Sequence, residues 1–453
     1  MAKYFGTYGI RRQLSKLSPE FACGMSAAFG THMKGGKFIV GTDTRTSREM
    51  LKGAAIAGLL SAGCEVADIG VAPSPTLEFE VKKQGAKGGI IVTASHNPPD
   101  WNALKFVGKE GIGLSKENGE PVERIYDSGR QKRAKWDEIK QLTFYPHAIQ
   151  DHISAILAHT NAAAIRGRKP FIILDCGNGT ACGFAPLLFT RLGCRIRVMN
   201  GTPDGFFPGR NSEPTRENVA GLISAVKREK ADMGIAWDGD GDRVIFIDEK
   251  GGYIWGDKSF ALCAKIKMRK RKGTAVTTVA TSDVVKEVVE QAGCRLAYVP
   301  VGAPYISQKM FKLKSVIGGE EVGGVVWPEI GWGKDGFMTA AKIVEEVCSS
   351  GKPLSLLIAS LPAYFNAKSK VDSGAKDKAR ILLGIKKAFS GEKGAKATTV
   401  DGVRLNFADG WVIARPSGTE NYFRVFAEAK TQAKADLLLA KFKKRVEEIV
   451  SGS

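Results

Sequence analysis

No apolar run in this 453-residue sequence approaches the ~18 residues that a membrane-spanning helix needs. The amino terminus, Met1 to Arg12, lacks the apolar stretch of a secretory signal and reads as turn chemistry around Gly6 and Gly9. The expected compartment is the cytoplasm. Eight cysteines (Cys23, Cys64, Cys176, Cys182, Cys194, Cys263, Cys294, Cys348) are scattered without a C-x-x-C pair, so the spacing of a zinc site or a redox motif is missing. A chain long enough to bury several cores needs no disulfide framework. The thiols are expected as small buried hydrophobes, Cys176 and Cys182 being the only close pair. There is no G-x-x-x-x-G-K-[ST] Walker loop, no G-x-S-x-G elbow, no short repeat and no low-complexity tract. The stretch from Asp175 to Gly183 imitates a dinucleotide fingerprint, but Cys182 stands where the third glycine would have to be. A tight βα turn is expected there instead.

What is present fits a globular chain: 43% hydrophobic and 25% charged residues, with length enough for roughly three or four domains. The net charge of +20 could serve nucleic-acid phosphates. However, the basic runs Lys265 to Lys272, Arg130 to Lys135 and Lys441 to Arg445 carry neither interleaved aromatics nor a DNA-binding motif. They read as solvated surface whose field helps to collect an anionic small molecule, with neither nucleic acid nor membrane as partner.

Short apolar runs alternate with helical patterns through the first three quarters of the chain. Strands are expected at Phe38–Gly41, Gly88–Thr93, Lys169–Leu174 and Met233–Ala236, and a helix from Arg48 to Ala62. This is the pattern of α/β domains with largely parallel strands. The polar stretch Glu117 to Asp137, the turn Glu249–Gly252 and the segment Ser350–Pro353 suggest breaks. Domains are placed at 1–150, 151–252, 253–365 and 366–453, the last a smaller α+β unit closing on a helix from Thr431 to Val450.

Four clusters carry chemistry, each at the end of a strand, where open α/β sheets bind ligands. Thr93-Ala94-Ser95-His96-Asn97-Pro98-Pro99 offers a hydroxyl on a proline-stiffened loop, although a capped turn would explain it as well. Asp238-Gly239-Asp240-Gly241-Asp242-Arg243 lets three carboxylates face one hard cation. Calcium in an EF-hand is excluded: Arg243 occupies the obligatory glycine position, and strand-like runs flank the loop where helices belong. Gly318-Gly319-Glu320-Glu321-Val322-Gly323-Gly324 allows close approach of a ligand, with Glu320 free to accept hydroxyls, or is an ordinary glycine-rich turn. Arg415-Pro416-Ser417-Gly418-Thr419-Glu420 supplies a guanidinium fork, hydroxyls and backbone N–H groups suited to phosphate.

In this order, and with Phe5-Gly6-Thr7-Tyr8-Gly9-Ile10-Arg11 at the start, the clusters resemble the α-D-phosphohexomutase family along almost the whole chain. The resemblance implies three related α/β domains with mixed sheets plus a smaller C-terminal α+β domain around a central cleft. It implies a phosphoserine at Ser95, and magnesium held by Asp238, Asp240 and Asp242 together with Ser95. Arg11, His96, Lys105 and Arg243 would line the transfer site. Glu320 would read the sugar, and Arg415, Ser417, Gly418 and Thr419 would hold the non-reacting phosphate. The implied reaction interconverts hexose 1- and 6-phosphates of mannose or glucose through a hexose 1,6-bisphosphate, with phosphoglucosamine mutase activity as the alternative. A metal phosphatase and a basic nucleic-acid-binding protein are the rivals. Val322 and Gly324 depart from the serine and histidine of many members, and Trp101 and Ala103 from tyrosine and glycine. The sugar loop is closer to archaeal members, which implies blurred sugar selectivity.

Overall fold

The computed structural model describes residues 3–374, 376–417 and 421–452. Its described strands form four sheets in succession along the chain. The first orders its strands Ile10–Gln13, Trp101–Gly108, Gly88–Val92, Gly36–Thr42, Cys64–Val71 and Leu142–Phe144. The first two joins are antiparallel and the others parallel. The second runs Tyr253–Ile254, Val244–Asp248, Met233–Trp237, Phe171–Asp175, Arg195–Met199, again antiparallel at one edge and parallel beyond. The third has Arg295–Val299, Thr274–Thr278, Ile317–Gly319 and Val325–Val326, with only the last join antiparallel. The fourth, from Phe365–Asp372 to Lys396–Thr398, is antiparallel throughout. Sheets one to three are thus mixed rather than largely parallel. The central strands read as continuous apolar runs because helices cover both faces; Gly88–Val92 is buried at every residue.

Two local expectations change, and the turn before residue 253 takes a definite form. The polar stretch from Glu117 holds the helix Lys116–Asp127, masked in the sequence by Gly119 and by Pro121 inside the helix. Proline lacks the N–H that an interior turn uses, but this helix has other anchors. Its Glu123 carboxylate accepts the backbone N–H groups of Lys3, Tyr4 and Phe5 at 2.7, 2.7 and 2.6 Å. The turn Glu249–Gly252 closes a hairpin inside the second sheet, tied by the Asp248 carboxylate to the N–H groups of Lys250 and Gly252. The strand expected from Lys169 begins at Phe171, since Lys169 is the left-handed cap of the helix Ala162–Arg168. The basic run from Lys265 ends the helix Gly256–Lys270, where cations complement the helix dipole. There Lys267, Arg269 and Lys270 pair with Glu329, Glu346 and Glu345. Among the described residues no helix is long and apolar enough to cross a membrane.

The packing fixes which loops move together. The second and third sheets share one apolar core, in which Phe337 stacks on Trp237 at 5.5 Å between centroids and meets Phe184 at 4.1 Å. The first and fourth sheets have separate cores. The fourth touches the third through a small cluster of Val279, Trp411 and Ile413, and through Arg404, whose guanidinium reaches Asp283 at 2.5 Å. Loops carried by the second and third sheets are therefore seated on one shared core.

Candidate active site

Ser95 follows the strand Gly88–Val92 and stands in a left-handed conformation with φ 54°. A non-glycine residue is held there only when its surroundings determine it, and they do. Its N–H donates to Thr93 Oγ1 at 2.9 Å, and its carbonyl accepts from Arg45 at 3.0 Å and Ser212 Oγ at 2.8 Å. Arg45 is completely buried. Its guanidinium also donates to the carbonyls of Asn97, Trp101 and Pro98, while Asp43 balances its charge at 3.1 Å. Arg45 thus clamps the serine loop, a role that one arginine in Thr42-Asp43-Thr44-Arg45 does not announce. The Ser95 hydroxyl is left to donate to Asp238 Oδ2 at 2.7 Å.

Asp238, Asp240 and Asp242 lie on the loop between Met233–Trp237 and Val244–Asp248. A Cβ added at Gly239 would lie 2.7 Å from the Ser95 carbonyl oxygen, so only glycine lets the two loops touch. All three carboxylates are buried, and each has an oxygen within 4.8 Å of the others'. Asp238 Oδ1 accepts the N–H groups of Gly241 and Arg243 at 3.1 and 3.2 Å. Asp240 Oδ2 accepts Ser74 Oγ and Lys105 Nζ, each at 2.5 Å. By contrast, Asp240 Oδ1 and Asp242 Oδ1 are buried with no hydrogen-bond partner among the described residues. Buried oxygens in that condition are costly. Hard oxygen donors left in this way suit a hard divalent cation.

Electrostatics sorts the group. Burial, then Asp240 and Asp242, push the Asp238 carboxyl up to about 8. Burial works the same way on Asp240, but the Lys105 ammonium outweighs it and holds that carboxyl well below the usual range. Burial, with Arg243 and Arg11 beside it, pushes the His96 imidazole well down, so the ring is neutral; its Nδ1 has no hydrogen-bond partner among the described residues. Arg11 donates to Asn97 Oδ1 at 2.7 Å, and Arg243 lies 3.8 Å from Asp242.

Glu320 follows Ile317–Gly319, and its carboxylate is buried with a partner that sequence reasoning missed. Lys334 Nζ donates to Glu320 Oε1 at 2.6 Å and lies 3.2 Å from Asp242 Oδ2. A Cβ on Gly324 would sit 2.3 Å from Lys334 Cδ. The side chain missing at 324 is thus the space through which Lys334 enters; the gap was legible, its occupant was not. Burial would lower the Lys334 ammonium, but Asp242 and Glu320 win and raise it.

The fourth cluster is not brought against these groups by any contact in the described residues. Arg415, in the strand Gly410–Pro416, pairs with Asp401 at 3.1 Å, and its Nε has no hydrogen-bond partner among the described residues. Ser417 is buried; Gly418 and Thr419 lie outside the described residues. The stretch from Asp175 is a βα turn that buttresses the carboxylate loop: the Thr180 N–H donates to the Gly239 carbonyl at 3.0 Å. Cys176 and Cys182 are both free thiols.

Four family models match consecutive parts of the chain. They are the phosphoglucomutase/phosphomannomutase alpha/beta/alpha domains I, II and III at residues 2–133, 150–252 and 255–365, and the C-terminal domain at 367–445. A phosphoglucomutase/phosphomannomutase of Thermococcus kodakarensis is 42% identical, with both chains covered completely. A phosphoglucosamine/phosphogalactosamine mutase of Sulfurisphaera tokodaii is 35% identical over 99% of this chain and 100% of its own. The crystal structure of a phosphoglucomutase/phosphomannomutase family protein from Burkholderia thailandensis superposes with a TM-score of 0.88 at 25% identity, covering 100% of this chain and 99% of that one. Fold and relatives define the class, an isomerase that moves a phosphoryl group within a sugar phosphate. The chain belongs to the phosphoglucomutase/phosphomannomutase family of α-D-phosphohexomutases.

Proposed function

We propose that this phosphohexomutase carries the migrating phosphoryl group on Ser95 and interconverts hexose 1- and 6-phosphates through a hexose 1,6-bisphosphate. The observation that carries the reading is the Ser95 hydroxyl held on Asp238, one of three clustered buried carboxylates, two of whose oxygens have no partner among the described residues. Magnesium bound by Asp238, Asp240, Asp242 and a phosphoryl oxygen on Ser95 would supply neutralisation of charge at the transferring group. Lys105, Arg11 and Arg243 surround that position with fixed positive charge. The attacking sugar hydroxyl gives up its proton as its oxygen bonds phosphorus and the Ser95 oxygen leaves. The neutral His96 and the Lys105 ammonium are the two candidates to take and give these protons. The bisphosphate then turns over and returns its other phosphate to Ser95.

Arg415, Ser417, Gly418 and Thr419 are assigned to the phosphate that does not react. Arg415→Lys keeps the charge and loses the fork. KM should rise and kcat fall together, by at least about tenfold in kcat/KM, the scale of one lost charged hydrogen bond. An unchanged KM for every substrate would remove Arg415 from the site.

The sugar is met by Glu320 and Lys334 where many members add a serine and a histidine, so fewer polar groups test hydroxyl geometry. A site rejects an analogue strongly when the mismatch leaves its own buried polar groups unpaired. Glucose and mannose 1-phosphates should therefore be converted with kcat/KM within about a hundredfold of each other. Glucosamine 1-phosphate is the second reading, supported by the amino-sugar mutase of Sulfurisphaera tokodaii. Parallel assays of the three sugars with magnesium and a trace of bisphosphate decide. Steady phosphate release without isomerisation would sink the mutase cycle, and a preference above about ten-thousandfold would sink the broad-specificity reading.

A further inference from the structure

The helix Ser74–Lys83 enters the site with its first turn. Ser74 and Glu78 stand four residues apart, hence on one face. Ser74 Oγ donates to Asp240. One turn on, the Glu78 carboxylate, 7% exposed, accepts the hydroxyl of Tyr8 at 2.5 Å. The Tyr8 ring in turn lies under Lys105, whose ammonium is 4.8 Å from the ring centroid. A Cβ on Gly113 would come within 2.4 Å of that ring, so the ring is packed as well as hydrogen-bonded. On its other side Glu78 rests on the bend before Lys334: a Cβ on Gly333 would lie 1.6 Å from Glu78 Oε2. One carboxyl thus touches the supports of both ammonium groups that meet the carboxylate loop, Lys105 at Asp240 and Lys334 at Asp242. Burial pushes Glu78 up to about 8, against the pull of Tyr8 and Lys105. None of the proton or phosphoryl transfers proposed for the phosphoserine cycle uses this buried acid.

We propose that Glu78 is a positioning residue for phosphoryl transfer: by holding the Tyr8 hydroxyl and packing on the Gly333 bend, it keeps Lys105 and Lys334 where the transferring group needs them. The proposal rests on transfer through Ser95. Glu78→Ala removes the acceptor and opens space beside Gly333. Displacing a charged group by a fraction of an ångström from outside the reacting atoms can cost about a hundredfold in rate. We expect a kcat loss of that order on glucose 1-phosphate, with a smaller rise in KM through Lys334, which is placed against the sugar.

Three measurements separate positioning from mere support. Glu78→Gln, which keeps an acceptor oxygen for Tyr8, should recover kcat to within about threefold of wild type. Tyr8→Phe, which keeps the ring in place, should lose rate as well, and the double variant Tyr8→Phe/Glu78→Ala should be no slower than the worse single one. Rates are counted per folded molecule phosphorylated on Ser95, by intact mass. A Glu78→Ala enzyme with a lowered melting temperature but unchanged kcat would overturn the proposal. So would a Glu78→Gln enzyme as slow as Glu78→Ala, or purely additive losses. If Glu78→Ala does not fold, Tyr8→Phe decides: kcat within about twofold of wild type overturns the proposal, and a larger loss with unchanged KM supports it. A wild-type enzyme without phosphate on Ser95 would sink the carrier assignment itself, an outcome distinct from any of these.

Discussion

Ser95→Ala will fold, carry no phosphate and lose at least about four orders of magnitude in mutase turnover, the scale on which enzymes lose activity with their nucleophile. The loop does not depend on the hydroxyl. Arg45, Thr93 and Ser212 hold Ser95 through its backbone, and all of those bonds survive in the alanine variant. One hydrogen bond to Asp238 is lost, costing about 1 kcal/mol of stability. Intact mass should find one phosphate on the wild type and none on the variant. Phosphate persisting on Ser95→Ala, or turnover within tenfold of wild type, would move the carrier elsewhere.

Asp240→Asn should lower both activity and stability. The substitution removes one charge from the carboxylate loop and leaves Asp242, 4.0 Å away, as the one carboxylate paired with the buried Lys105 ammonium among the described residues. A buried cation stripped of its partner typically costs about 3 kcal/mol. Loss of a preorganised charge at the transferring group typically costs at least about a hundredfold in rate. Chelation should abolish activity in the wild type, and magnesium should restore it. The pH dependence has a definite sign. Burial and its two neighbours raise Asp238 from 3.8 to about 8 in the metal-free protein, so the folded state holds that proton more tightly than the unfolded chain does. This group therefore withdraws stability as pH climbs through that window. A cation prefers the ionised triad, so its affinity should climb with pH over the same interval and its binding should release protons. Calorimetry in buffers of different ionisation enthalpy measures the release. Activity that survives exhaustive chelation would remove the metal from the reaction.

The serine loop and the carboxylate loop were legible because each is short, contiguous and made of residues with few structural uses. Three aspartates spaced by glycines between two apolar strands have little to do except hold a cation. Arg45, Lys334 and Glu78 were not legible, since each acts through groups far away in sequence. Arg45 gathers the carbonyls of a loop about fifty residues on, and Lys334 acquires meaning only from the missing side chain at Gly324. The fold shows the same division. Gly88–Val92 announces itself by composition, whereas Lys116–Asp127 contains Pro121 and exists because Glu123 and the chain start brace each other.

That brace has a consequence for synthesis. The strand Ile10–Gln13, which carries Arg11, is an edge strand whose only neighbour in the sheet is Trp101–Gly108, and the residues before it are caught by Glu123. A nascent chain emerges at about 5–20 residues per second. Arg11 must therefore wait for roughly ninety further residues before Asn97 and Ala103, its partners, exist, so roughly ten seconds of translation separate its appearance from its seating. Pairings of such long sequence separation form late. The segment around Ile10–Gln13 is then open to proteases or chaperones while the ribosome is still at work, and the proposed transfer site gains this guanidinium only as the sheet closes.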